Sequence, residues 1–282
     1  MWKIVLSNKK QISVIEDIIS SFSNDFMFRE FYYLDKVSST QDFALEIAKS
    51  KGECSSPVVV ISDIQTCGKG RKGKYWSSTE GGVWLSLVLE TTLEPEKSFL
   101  FMMISALGVC ETIETETGLI PVIKWPNDVY ISKRKTAGIL LDVNVESGKI
   151  KDVVIGIGVN SNNELSHVVD DLAANNCDQK PITTLKKELK QEILNSRFIG
   201  SLLLRMNHYL GKMDNRLFVE SNIQNNYKKR ILESNKHIAY SFKMGDHDFE
   251  GKIIDVAANG SILVESPLAG KTLRISSVNE IS

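Results

Sequence analysis

Paired cysteines, long apolar runs and a surplus of charge of either sign are all lacking in this chain of 282 residues. Its 34 Lys and Arg stand against 35 Asp and Glu, for a formal net charge of −1. A protein that coats nucleic acid without regard to sequence needs a broad basic field, so that class is excluded. Cys54, Cys67, Cys110 and Cys177 lie far apart, with no C-x-x-C and no Cys/His ligand spacing. His167, His208, His237 and His247 form no ligand pattern either, and no protein-held metal site is expected. Scattered thiols fit a reducing cytosol. The start, MWKIVLSNKKQ, has no long apolar stretch and no small-residue cleavage site. No apolar run reaches membrane-spanning length. A cytoplasmic protein with no membrane partner is expected.

What is present suits one main domain followed by a small module. QDFALEIAKS (41–50) sets Phe43, Ala44, Ile47 and Ala48 at helical spacing behind a Ser-Ser-Thr start that can cap it. PVVVIS (57–62) and VWLSLVLE (83–90) read as buried strands on either side of a glycine-rich loop. FLFMMISALGVCETIETETG (99–118) predicts a long helix with one apolar face, stopped by Gly118. Segments 121–132, 135–145 and 151–160 are strand-like, and 183–232 has helical spacing. Beyond about residue 236 come short alternating strands broken by Gly251, Asn259-Gly260 and Ala269-Gly270. The expected class is α+β: a mixed-sheet core over 1–235 and a small β-barrel over 236–282, too short to make a large core alone.

The local exception to the neutral balance is QTCGKGRKGKYWSS, Gln65 to Ser78. Glycines let successive backbone amides turn toward a ligand, and such amide nests with nearby cations bind anions. Arg71 offers forked bonds; Lys69, Lys72 and Lys74 act as compact charges. Trp76 adds a flat apolar surface. Taken alone the loop suits either an anion site or a solvated basic loop, and no Gly-Lys-Ser/Thr follows to make it a Walker A loop.

Two more clusters follow. KWPNDVYISKRKTAGILLD (124–142) carries Lys124 and Lys135 about a turn, with Pro126 biasing Trp125 toward extended backbone. Gly138 within its apolar strand suggests close approach of another group. IGIGVNSNN (155–163) ends an apolar strand with Gly156, Gly158 and Asn160, but a dinucleotide fingerprint would need a third glycine and a following helix.

In combination the motifs are specific. VSSTQD (37–42), GKGRKGKYW (68–76), KWPND (124–128), KTAGILLD (135–142) and GIGVN (156–160) occur in the order seen in biotin protein ligases, which the chain resembles over about residues 30 to 282. Lys69 and Lys74 stand where that family usually has Arg, which keeps charge but loses the fork.

The resemblance implies a biotin/lipoate-ligase-like core with an SH3-like β-barrel module at the C-terminus. It implies a biotin–[biotin carboxyl carrier protein] ligase that uses MgATP to form biotinyl-5′-AMP, then passes biotin to a carrier lysine. By position, Ser39, Thr40, Gln65, Gly68, Lys69, Gly138 and Gly156 fall to biotin, and Lys135 to its carboxylate and the α-phosphate. Arg71, Lys72, Lys74, Trp76, Asn127 and Asn160 fall to the nucleotide, with Lys135 and Arg71 as the catalytic cations. Asp128 orients Lys135 or a metal-bound water. Family members are often homodimers, though no seam is legible here. A lipoate–protein ligase would show an Arg-Arg-x-x-Gly-Gly-Gly stretch that this sequence lacks. A biotin-responsive repressor needs a helix-turn-helix, where about 30 residues offer a strand and one helix, so no DNA partner is expected. A single-strand binder would spread its basic and aromatic residues.

Overall fold

The computed structural model describes residues 3–7, 11–20, 22–23, 25–50, 57–175, 177, 181–211, 216–236, 240–244, 247–266 and 271–275. Cys54, His237 and the Ala269-Gly270 turn lie outside the described residues.

Eight strands form one sheet: β1 (Lys3–Leu6), β2 (Glu30–Val37), β3 (Val58–Gln65), β4 (Val83–Glu90), β5 (Val122–Lys124), β6 (Asp128–Ile131), β7 (Arg134–Glu146) and β8 (Lys149–Val159). Their spatial order is β1-β2-β3-β4-β8-β7-β6-β5. The first three run parallel and the rest pair antiparallel. The mixed sheet and α+β class therefore stand as expected. β2 was not anticipated as a strand, and residues 121–132 divide into β5 and β6 around the Trp125–Pro126 turn, whose peptide is cis.

Side chains alternate across a strand, and here the alternation separates a core from a cleft. Leu85, Leu87, Ile139, Ile155, Ile157 and Val159 face the main apolar cluster. The intervening positions, Ser86, Gly138, Gly156 and Gly158, are small. Register sets Ser86 beside Gly156 and Gly138 beside Gly158, so the small residues of three strands form one shallow floor.

The core face is covered by α3 (Phe99–Thr117), which packs against α6 (Asn195–Leu210) and α7 (Arg216–Ser234). Expected to be apolar on one face, α3 is buried continuously from Leu100 to Cys110 because it lies between sheet and helices. Burial of each large side chain there contributes roughly 1.5–3 kcal/mol. The helix is apolar and long enough to cross a membrane by composition, yet 72% of the relevant stretch is buried inside the protein. Gly118 ends it with φ +74 and an amide bond to the Glu114 carbonyl, the left-handed stop that glycine permits. On the opposite face α2 (Thr40–Ser50) packs on β3, β4 and β8.

The region expected to be helical from 183 onward is three helices, α5 (Leu185–Leu189), α6 and α7. The Thr184 side chain caps α5 by accepting from Lys187 N–H, and Lys190 in left-handed conformation ends it. An additional helix, α4 (Leu165–Ala174), follows the glycine–asparagine motif; it was not anticipated. Beyond α7, β9 (Tyr240–Met244), β10 (His247–Val256), β11 (Ile262–Ser266) and β12 (Lys271–Ile275) make a four-stranded antiparallel sheet. Its Tyr240, Phe242, Ile253, Val256, Ile262 and Val264 join the same apolar cluster as the core under the large sheet.

Candidate active site

A cleft of about 610 Å³ opens on the small-residue floor, within the roughly 300–1,000 Å³ usual for small-ligand sites. The first turn of α2, the glycine–cation loop, the Lys124–Asp128 turn, β7, β8 and α4 supply its walls. Every residue named from the sequence lines it except Gly68. Gly68 sits behind the loop, where a Cβ would come 2.3 Å from the Trp76 carbonyl and 2.6 Å from Ser78 Oγ. Its smallness lets the two arms of the loop close on each other.

The loop is a compact hairpin. Gly70 N–H bonds the Lys74 carbonyl at 2.7 Å, and Trp76 N–H bonds the Gly68 carbonyl at 2.8 Å. At its tip Lys72 takes φ 58, a left-handed conformation that costs a residue with a Cβ roughly 1–2 kcal/mol. Lys69, Lys72 and Lys74 are exposed. Partial desolvation, then repulsion from Arg71 and Lys74, holds the Lys72 ammonium below the usual lysine range. Arg71 points inward: its Nη1 donates to Asn127 Oδ1 at 3.0 Å, and burial lowers its pKa while nearby Asp128 opposes that shift. Asn127 is held in turn by its Nδ2 bond to the Ile139 carbonyl at 2.9 Å.

Lys135 lies at the meeting point. Its Nζ is 2.7 Å from Asp128 Oδ1 and 4.8 Å from the centroid of the Trp76 ring. An ammonium over an aromatic face is attracted by the ring quadrupole, so the cation is aimed by a carboxylate and an indole together. Its backbone is held by the Pro181 carbonyl at 2.8 Å and Thr183 N–H at 2.9 Å. Trp76 lies on Gly138 and Gly158, whose added Cβ atoms would meet the ring at 2.9 and 2.6 Å. These glycines receive a protein ring, and Gly156 likewise faces the Gln41 amide.

The other end of the cleft is uncharged and polar. Ser39, Thr40 and Gln65 are buried there. Gln65 Oε1 accepts from Thr40 N–H at 2.7 Å and from its hydroxyl at 3.0 Å. Asn160 stands beyond the floor, its Oδ1 accepting from Asn163 Nδ2 at 3.1 Å. Sequence reasoning missed Gln41, Tyr75, Ser77, Ser86, Leu172 and Ile182, which also line the cleft. Ser86 was detectable as the one hydroxyl in an apolar strand. Leu172 was detectable through the i, i+3, i+4, i+7 spacing of Leu165, Val168, Val169 and Leu172. The Tyr75 hydroxyl donates to Asp171 Oδ2 at 2.9 Å, joining loop to α4.

One end of the cleft can thus hold a neutral polar head and the other can neutralise converging anions. Comparison with known proteins gives the same direction. Residues 33–160 match the Biotin/lipoate A/B protein ligase family. The bifunctional ligase/repressor BirA of Bacillus spizizenii is 35% identical over 157 residues, 55% of this chain and 48% of that protein. The biotin–[acetyl-CoA-carboxylase] ligase of Paracoccus denitrificans is 31% identical over 129 residues, 45% of this chain and 52% of that one. The chain therefore spans about half the length of these curated relatives. In fold it is similar to the biotin protein ligase of Aquifex aeolicus in complex with biotin and ATP, with TM-score 0.67 and 23% identity over 89% of this chain and 97% of that one. Residues 33–160, which carry the five ordered motifs, are thus similar to the biotin/lipoate A/B protein ligase family.

Proposed function

We propose that the protein is an ATP-dependent biotin protein ligase. The observation that carries this reading is one cleft with a buried Ser39–Thr40–Gln65 cluster at one end and Lys135 and Arg71 at the other. A cyclic urea needs donors and acceptors together, which the polar end supplies. The apolar ring of lipoate brings no donor or acceptor to that end and gains no hydrogen bond there.

In the first step an oxygen of the biotin carboxylate attacks the α-phosphorus of ATP, and pyrophosphate leaves with the electron pair of the broken P–O bond. Both partners are anionic. In this reading Lys135 meets carboxylate and α-phosphate together, and with Arg71 it offsets their repulsion and stabilises charge that grows in the transition state. Lys72, Lys74, Asn127 and Asn160 hold the nucleotide, with Trp76 over the adenylate. In the second step a carrier lysine amine attacks the acyl carbon and AMP leaves. No enzyme nucleophile takes part, so the protein contributes positioning and electrostatics.

Among the described residues no group of three His, Cys, Asp or Glu could cage a metal. Mg²⁺ would enter as the counter-ion of ATP and neutralise phosphate charge, and Asp128 is the carboxylate that would meet its water shell. The partner is a biotin carboxyl carrier protein or domain, and the reaction belongs to the cytoplasm. β1 pairs with β2 and so is part of the large sheet, and no DNA partner belongs to this reading. A homodimer follows the family habit.

ATP–pyrophosphate exchange with biotin and with lipoate, side by side, tests the reading. Exchange driven by biotin is expected; exchange driven by lipoate alone would overturn it.

A further inference from the structure

The polar end of the cleft is wired to a carboxylate at its margin. Gln41, only 3% exposed, donates from Nε2 to Asp142 Oδ2 at 2.8 Å and to the Val154 carbonyl at 3.1 Å. Its Oε1 accepts from the Ser86 hydroxyl at 3.1 Å. Turning the amide over would set Oε1 against a carboxylate and a carbonyl, neither of which has a proton to give. The two acceptors therefore fix its orientation.

The direction propagates. Ser86 has one proton, committed to Gln41, so it can only accept from Thr40 Oγ1, 2.9 Å away. The Thr40 proton is divided between Ser86 and Gln65 Oε1, which lies 3.0 Å from it. From the far side, Gln65 Nε2 donates to Ser78 Oγ at 2.7 Å, and Ser78 donates to the Trp76 carbonyl at 3.2 Å. Both amides are thus locked, one from Asp142 and the other from the Trp76 backbone. Gly156 makes room for the arrangement, since a Cβ there would lie 2.5 Å from Gln41 Oε1. Asp142 stands opposite Val154 in the sheet, which brings both acceptors of Gln41 to one place.

We propose that Asp142 is a positioning residue that, through Gln41 and Ser86, fixes the donor and acceptor pattern offered to the cyclic urea of the substrate. This rests on reading the cleft as a biotin site. A urea presents one acceptor oxygen flanked by two N–H donors. A pocket with fixed directions accepts that order and rejects its inverse, because a mismatch leaves buried groups unpaired.

The test compares pyrophosphate exchange with biotin and with 2-iminobiotin, in which an imino nitrogen replaces the urea oxygen. In Asp142→Ala, loss of a bond to a charged acceptor raises KM for biotin about tenfold, with KM for ATP unmoved and kcat lowered less than about threefold. The preference for biotin over the imino analogue narrows. Asp142→Asn keeps an acceptor oxygen toward Gln41 and restores that preference. Gln41→Met, which fills the same space without hydrogen bonds, narrows it too and serves if Asp142→Ala fails to fold. An unchanged preference in both Asp142→Ala and Gln41→Met would overturn the inference, as would an Asn variant as impaired as the Ala variant. If wild type shows no exchange with biotin, the reading of the cleft falls and takes the inference with it; that failure is visible in the wild type alone.

Discussion

The backbone N–H of Trp125 donates to the hydroxyl of Tyr240 at 3.1 Å, across 115 residues of sequence. Both residues are buried. Ser234 gives its proton to the Ile231 carbonyl, so the Tyr240 hydroxyl donates to Ser234 Oγ at 2.8 Å while accepting from Trp125. The Trp125 indole adds a bond to the Gly260 carbonyl at 3.0 Å. The turn that carries Asn127 and Asp128 is thereby held from the C-terminal sheet. Tyr240→Phe leaves a buried N–H without an acceptor and is expected to destabilise the protein by about 1–3 kcal/mol. A lowered urea midpoint with unchanged slope checks it; an unchanged midpoint would mean that the bond contributes nothing.

Lys135→Ala removes the cation that Asp128 and Trp76 aim into the cleft. On the proposed mechanism its loss is expected to cost roughly 3–4 kcal/mol in the first step, comparable to loss of an oxyanion donor. The variant stays folded, by circular dichroism, and loses pyrophosphate exchange. Near-normal exchange would place the catalytic cation elsewhere, with Lys124 the next candidate.

The glycine–cation loop offers trypsin a graded set of targets. Lys69, Lys72 and Lys74 are exposed, whereas Arg71 is partly buried and bonded to Asn127. Cleavage after Lys72 and Lys74 is expected to lead in the free enzyme. On the proposed reading, biotin with MgATP brings anions that offset the mutual repulsion of these cations, and cleavage is expected to slow as the loop closes. Equal rates with and without the ligands would show that the loop does not order on them.

Thiol chemistry separates two cysteines. Burial pushes the Cys110 thiol up to about 12, and because the thiolate is the reactive form, it stays inert at pH 8. Cys67, beside the loop, is exposed. Iodoacetamide at pH 8 is expected to modify Cys67 and spare Cys110 until denaturant is added. Modification of both in native buffer, read by peptide mass spectrometry, would contradict the packing of α3.

The cleft was largely legible in the sequence because its chemistry sits in short contiguous runs. The loop from Lys69 to Trp76 declares itself by residue type, whereas Ser39, Thr40, Asn127 and Lys135 stood out through their places in motifs that resemble those of biotin protein ligases. Gln41 and Asp142 did not, although both lie inside quoted motifs. Their meeting depends on the register of β7 with β8 and on the first turn of α2, and such long-range geometry leaves no local pattern. The helix α3 shows a different limit. Its composition announced burial, but whether one face or all of it is covered depends on α6 and α7 arriving from far along the chain. With α4 the signal was present in Leu165, Val168, Val169 and Leu172, and the polar residues before it obscured it.

The apolar cluster that runs from beneath the large sheet into the C-terminal strands has a thermodynamic consequence. Ile123 and Trp125 on one side share it with Tyr240, Phe242 and Val264 on the other. Two modules with separate cores would melt independently, whereas surfaces that complete each other must part together. Calorimetry is expected to record one cooperative transition for the whole chain, with van't Hoff and calorimetric enthalpies in agreement. The change from helix to strand near residue 236 is then a boundary of architecture and not of cooperativity, and heat would disable the turn of Asn127 and Asp128 and the small sheet bonded to it at the same temperature.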